Sequence, residues 1–370
     1  MEYQRVPYKT EGVRVETRKP LFSRNVLTVP VPDYPITPVE NWKRSWKLQT
    51  PMWAPNALVD FESVGLGKSS AYAAEIAKNE RFEFADEYGC EWVWVTEVGG
   101  AMLKPGSIFM EDVTDWEKLV KFPDWNTVYD FKSRADDFYA NRQNPDSVLN
   151  IDIGSGGTER LVALLGGYGE GMMALAEEPE ACRELIVEIN NNMKERFDVI
   201  LKHFPDVNNI VYHDDWGNER STFFSATYLE EMVLESTRDL IQHIRSAGDI
   251  SFEFHCCGNI ETFVPYMIDI NVDILQIQRR ANNMPMLKEK YGDKIGMGCG
   301  IEGLNLMPGV ETEMPSKEKL LEMVRNTIDI YGKHGGLYVS LAGITDEETL
   351  WDICYEAYCY SREYYDKERG

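Results

Sequence analysis

From residue 49 onward, short runs of apolar and β-branched residues alternate with stretches of helical period, and that alternation predicts βα units building a parallel sheet. Eight runs read as strands: LQTPMWAP (48–55), CEWVWVTE (90–97), VLNIDIGS (148–155), NNIVYHDD (208–215), ISFEFHCC (250–257), VDILQIQ (272–278), KIGMGCG (294–300) and LYVSLAG (337–343). Between them lie helical stretches such as PEACRELIVEINNNMKERFDVILKHF and SKEKLLEMVRNTIDIYGKHGG, the latter opened by Ser316 as N-cap and closed by Lys333 and Gly335. The pattern predicts an α/β chain folded as a (β/α)8 TIM barrel over residues 49–370, with residues 100–147 inserted after the second strand. A doubly wound open sheet is the alternative. Residues 1–48 are rich in Pro and charge, hold one possible short strand at 25–31, and read as an N-terminal arm. No repeat, low-complexity tract or Gly/Ser linker divides the chain.

A barrel of this kind carries its chemistry at the C-terminal ends of its strands. Polar residues gather there: Glu97 after the second strand, Ser155 and Arg160 after the third, His213, Asp214 and Asp215 at the end of the fourth. His255, Cys256 and Cys257 end the fifth strand, Gln276 and Gln278 the sixth, and Cys299 the seventh. A rim loaded with carboxylates, imidazoles and thiols predicts an enzyme.

Charge narrows the partners. The 370 residues carry 62 Asp and Glu against 38 Lys and Arg, a net charge of −24, which repels both a phosphate backbone and an anionic membrane face. Small molecules or basic protein surfaces are the expected partners, with no nucleic acid and no membrane. Hydrophobic residues at 43% suffice for a large core. With no signal-like N-terminus and no long apolar run, the expected location is the cytoplasm. Seven Cys is an odd number and Cys256 adjoins Cys257, so reduced thiols are expected rather than a disulfide framework.

The segment Phe254-His255-Cys256-Cys257-Gly258-Asn259 carries most of the chemical information. Residues i and i+2 of a strand face the same way, so His255 and Cys257 point together and Cys256 points to the other side. Imidazole nitrogen and thiolate suit zinc, and two ligands from one strand leave a third to come from elsewhere, with a fourth position open for substrate. Cys299 is the candidate third ligand. The same residues also read as two buried small thiols and a hydrogen-bonded rim histidine. Gly258 allows close backbone approach, and Asn259 is placed to N-cap the helix after it.

The stretch HCCGNIETFVPYMIDINVDILQIQ resembles the core signature of the uroporphyrinogen decarboxylase superfamily, whose fold is a (β/α)8 barrel. PMWAPN, IGSGGTERLVALLGG and HDDWGNERSTFFSATYLEEMV add to the resemblance, which spans most of residues 49–365. The superfamily divides into metal-free decarboxylases and corrinoid-dependent methyltransferases, and His-x-Cys-Gly is more similar to the latter. The decarboxylases carry an arginine-rich segment after the first strand, whereas WAPNALVDFESVG holds no Arg. The methanol- and methylamine-linked coenzyme M methyltransferases place their later Cys in the last strand, where this chain has Ala342 within SLAGI. The O-demethylase methyltransferases, with more varied ligand sets, are the nearer model.

The resemblance implies zinc on His255, Cys257 and Cys299, and methyl transfer from a small methylated donor, at best a methoxylated aromatic, to the cobalt of a corrinoid. The Asp-x-His-x-x-Gly cobalamin signature is absent from the chain, so the corrinoid is expected on a separate protein. Asp215, Asp214, Glu97 and His213 are candidates for an acid or an extra ligand. Trp53 and Trp216 are candidates for an aromatic-binding slot, Arg160 for a carboxylate anchor, and Gln276 for a substrate contact. Decarboxylation, or a barrel that binds zinc or a tetrapyrrole without turnover, remain as alternatives.

Overall fold

The computed structural model describes residues 13–18, 26–67, 72–78, 80–97, 99–304, 313–341, 343–344 and 346–369. At the N-terminus β1 (Arg14–Arg18) pairs antiparallel with β2 (Leu27–Val31). The helix Pro38–Trp46 follows, begun by a capping box in which Thr37 accepts from Glu40 N–H and the Glu40 carboxylate accepts from Thr37 N–H. This helix plugs one end of the barrel. Its Trp42 and Trp46 pack against Phe61, Val148, Ile274 and Tyr338, and the Trp42 indole donates to Ser251 Oγ at 2.9 Å.

The remaining strands are β3 (Phe61–Gly65), β4 (Phe82–Ala85), β5 (Glu91–Val95), β6 (Gly100–Leu103), β7 (Val148–Ser155), β8 (Asn209–His213), β9 (Ser251–Cys256), β10 (Ile274–Ile277), β11 (Gly296–Gly300) and β12 (Leu337–Ser340). Seven of them form one parallel sheet in the order β12-β11-β10-β9-β8-β7-β3. Its two edges are joined through Asn56, which bridges Val339 in parallel and leads within a few residues into β3. The result is a (β/α)8-type barrel in which the segment around Asn56 stands at the first strand's place.

Alternation decides which side chains line the lumen. Along β9, Phe252, Phe254 and Cys256 are fully buried in the main core under the helices, while Ser251, Glu253 and His255 face inward. A polar set on one face of a parallel strand is tolerated here because its members hydrogen-bond to one another within the lumen.

The expected second barrel strand, 90–97, is corrected by the structure. Its residues 91–95 form β5, the middle strand of a separate antiparallel sheet ordered β4-β5-β6. Connections spanning 86–90 and 96–99 are too short for a crossover helix, so only hairpin pairing is open to them. Trp92, Val93 and Trp94 are all buried, and a run apolar on both faces does not announce which sheet it joins. The insertion therefore lies between β3 and β7.

This small sheet is fastened by a buried ion pair. Asp86 accepts from the Trp92 indole at 2.6 Å and from the Tyr88 and Cys90 amides at 3.0 Å, and it pairs with Arg160 of the helix Gly157–Leu165. The Arg160 guanidinium lies 4.2 Å from the centroid of the Tyr88 ring. Among the described residues, no helix is long and apolar enough to cross a membrane.

Candidate active site at the mouth of the barrel

The lumen opens into a cavity of about 520 Å³ whose lining includes Ser63, Asn150, Glu253, His255, Cys257, Gln276 and Tyr338. His255 and Cys257 converge as their spacing predicts: His255 Nε2 lies 3.2 Å from Cys257 Sγ. His255 Nδ1 lies 2.6 Å from Gln276 Oε1. The Gln276 amide nitrogen is engaged with Glu253 and Tyr338, so its oxygen faces the imidazole and Nδ1 carries the hydrogen. That leaves the Nε2 lone pair turned toward the thiol. Burial, and then the positive charge of His213, push the pKa of His255 down to about 4.

Cys257 is exposed, and its backbone N–H donates to Asp215 Oδ1 at 2.7 Å. Cys256 turns the other way, is wholly buried, and has its thiol pKa pushed up by that burial. His213 Nε2 is 2.8 Å from Asp152 Oδ2, and its ring centroid lies 4.3 Å from that of His255. Burial alone would raise Asp152, but the charge and hydrogen bond of His213 hold its carboxyl below the usual range. A register shift in β7 between Asp152 and Gly154, the latter at φ +69°, accompanies this placement of Asp152.

Two loops brace the pair. A Cβ on Gly258 would stand 1.9 Å from Gly217 O, so the turn after β9 touches the turn after β8 with no room for a side chain. Asn259 N–H donates to Asn218 O at 2.7 Å across the same contact. The Asn259 side chain reaches Ala281 O rather than capping the next helical turn as expected.

Several sequence-predicted residues lie elsewhere. Cys299 is in register with Val339, which belongs to the outer core, while its neighbour Gly298 is in register with Tyr338, whose hydroxyl reaches Glu253 in the lumen. Cys299 thus borders the same cavity through its strand but takes the face toward the helix layer, and burial pushes its thiol up to about 12. Asp214 is fully buried at the start of the helix Gly157–Leu165, accepting from Thr158 and Glu159 amides and from the Trp216 indole; burial raises it to about 7. It caps that helix and locks Trp216, which packs on Phe254 outside the lumen.

Trp53 is buried too, donating to Asp60 and stacked on Tyr34 at 4.4 Å. Arg160 is committed to Asp86 rather than to a substrate carboxylate. Glu97 follows β5 on the inserted sheet and is exposed. Gln276, His213 and Asp215 stand with the His255–Cys257 pair. Sequence reasoning missed Glu253, Tyr338 and Asp152. Glu253 was open to discovery, because it lies two residues before His255 and so shares its face.

For zinc the donor set is partly in place. His255 Nε2 and Cys257 Sγ fit two positions of a four-coordinate ion, whereas Cys299, on the opposite face of its strand, does not fit a third. Among the described residues, no group of three or more His, Cys, Asp and Glu side chains is gathered to hold a metal ion. Ala342 of the last-strand motif lies outside the described residues.

No family model matches the chain, and no curated protein matches it. The likeness is one of fold. The chain is similar to a methyltransferase from Methanosarcina mazei, with a TM-score of 0.57 at 12% identity over 90% of this chain and 100% of that one. Xylanase B from Clostridium stercorarium F9 superimposes at a TM-score of 0.35, with 14% identity over 54% of this chain and 69% of that one. A D-psicose 3-epimerase from Clostridium cellulolyticum H10 gives 0.35, with 12% identity over 65% and 84%. Fold and site together define a (β/α)8-type barrel whose polar groups converge at the C-terminal mouth.

Proposed function

We propose that the chain is a methyltransferase whose reaction centre is the His255–Cys257 pair. The observation that carries this reading is the approach of His255 Nε2 to Cys257 Sγ, 3.2 Å apart, at the open end of the barrel. The resemblance of His-x-Cys-Gly and the fold shared with the Methanosarcina mazei methyltransferase support it. In its finer form the reading has a small methylated donor, a methoxylated aromatic, enter the cavity and pass its methyl group to the cobalt(I) of a corrinoid carried by a separate protein. The carbon–cobalt bond forms with the electron pair of cobalt, and the carbon–oxygen pair leaves with the phenolate.

Zinc held by His255 Nε2 and Cys257 Sγ supplies Lewis acidity at the departing oxygen when bound. The chain's own residues prepare that position. Gln276 holds the imidazole with Nε2 outward, and Asp215 fixes the backbone of Cys257. The Asp152–His213 pair holds a proton beside His255, the two imidazole centroids lying 4.3 Å apart. For the decarboxylase alternative, the two described arginines on the cavity lining are already engaged, Arg279 with Ile301 O and Leu304 O and Arg280 with Glu219.

The test is methyl transfer from a panel of methoxylated aromatics to free cob(I)alamin, followed by the spectral change to methylcob(III)alamin. Transfer by the wild type that is lost in both His255→Ala and Cys257→Ala supports the reading. Transfer at the wild-type rate by both variants refutes it.

A further inference from the structure

We propose that Glu253 is a positioning residue that fixes the proton of His255 on Nδ1, acting through the orientation of the Gln276 amide. Glu253 lies in the lumen at 2% exposure, on the same face of β9 as His255, and does not touch the imidazole. One carboxylate oxygen accepts from Gln276 Nε2 and from the Tyr338 hydroxyl; the other accepts from Asn209 Nδ2 at 2.7 Å. Tyr338 in turn accepts from Gln276 Nε2 at 2.8 Å. The Gln276 nitrogen therefore faces two acceptors below, and its oxygen is left for His255 Nδ1–H.

The consequence appears when the carboxylate is replaced by its isosteric amide. One of its two oxygens becomes an NH₂ that faces a donor. On the Asn209 side relief takes a chain of coupled turns: Asn209 Nδ2 also donates to Asn150 Oδ1 at 2.7 Å and its Oδ1 accepts from the Ser251 hydroxyl at 2.6 Å, so both amides would have to turn over and the hydroxyl swing to Asn208 O. Asn150 is held in turn by Ser63 at 3.1 Å. On the Gln276 side it relaxes by one movement: the Tyr338 hydroxyl rotates and the Gln276 amide turns over. Gln276 then offers N–H to His255 Nδ1, which must become the acceptor. The imidazole proton moves to Nε2, where it points at Cys257 Sγ and blocks the lone pair that a metal or a thiol proton would use.

The chain has five His, so ¹⁵N-histidine labelling gives a readable ring-nitrogen spectrum, with His255 identified by its loss in His255→Asn. Spectra are recorded on the full chain after chelator treatment. The wild type is expected to show a protonated Nδ1 and a bare Nε2 at His255. Glu253→Gln is expected to reverse them, and Glu253→Gln/Gln276→Glu to restore the first pattern, since a carboxylate at 276 again accepts from Nδ1–H.

A folded Glu253→Gln protein that keeps Nδ1–H overturns the proposal. If that variant does not fold, the double variant, which keeps one carboxylate in the cluster, carries the test alone: Nε2–H there overturns it. Zinc titration separates this inference from the methyltransferase reading. A loss of zinc affinity of about 10- to 100-fold in Glu253→Gln, recovered in the double variant, is the expected result. Absence of zinc binding in all three proteins counts against the metal in that reading and leaves the tautomer result standing.

Discussion

Gly258→Ala is the sharpest steric perturbation of the site. The added Cβ would lie 1.9 Å from Gly217 O, 2.1 Å from Gly217 C and 2.7 Å from Asn218 N. Contacts under 3.0 Å are essentially never tolerated, so the two turns must part by at least 3.0 − 1.9 = 1.1 Å. All three obstructing atoms are backbone and cannot rotate away. Parting the turns stretches the 2.7 Å bond from Asn259 N–H to Asn218 O beyond hydrogen-bonding range, at about 1 kcal/mol. Overpacking adds about 1–3 kcal/mol, for a total of about 2–4 kcal/mol. Because the moved turn carries Cys257, the approach to His255 also opens, and a displacement of about 1 Å at a reacting group costs on the order of 100-fold in rate. Urea unfolding of Gly258→Ala, beside Gly169→Ala, measures the effect; a Cβ at Gly169 meets nothing within 4 Å. The control is expected within about 0.5 kcal/mol of the wild type. A Gly258→Ala protein equally close to the wild type refutes the contact.

Other perturbations test the same geometry. His255 has a folded pKa of about 4 against 6.5 for an ordinary histidine, so between those values the unfolded chain takes up a proton that the folded chain does not. Stability is expected to fall as pH drops from 6.5 toward 4, and His255→Gln to flatten that decline in urea midpoints; an unchanged slope contradicts the assignment. Arg160→Met leaves Asp86 buried without its partner and is expected to cost about 3–5 kcal/mol in unfolding free energy. It should leave the KM for the methyl donor unaltered, and a KM effect without destabilisation would return Arg160 to a substrate role. Of Cys256 and Cys257, only the exposed Cys257 is expected to react rapidly with a thiol reagent in chelator-treated protein, and Cys257→Ser should remove that fast phase.

What could be read in the chain before folding depended on whether one strand face differed from the other. In β9, aromatic and polar residues alternate, and the alternation identifies His255 and Cys257 as neighbours, with Cys256 on the far side. The run GMGCG of β11 offers no such contrast, because glycines flank Cys299; its face is legible only once β12 sets Gly298 beside Tyr338 and Cys299 beside Val339. CEWVWVTE is apolar on both sides, and its sheet was decided by hairpin lengths and by Asp86, not by the strand's own residues. Asp214 and Asp215 are adjacent and chemically identical, yet one caps a buried helix and the other holds the Cys257 amide, a difference fixed by a single step along the backbone. Trp53 and Trp216 both fall where a ligand slot would put them in sequence, but large aromatics satisfy an outer core equally well.

The most direct measurement of the central claim is the zinc content of anaerobically purified protein, with Cys257→Ala and Cys299→Ala beside it. The His255–Cys257 pair as reaction centre, with Cys299 turned into the helix layer, predicts about one zinc per chain in the wild type and in Cys299→Ala, and its loss in Cys257→Ala. Zinc absent from the wild type, or zinc retained in Cys257→Ala, would contradict the account.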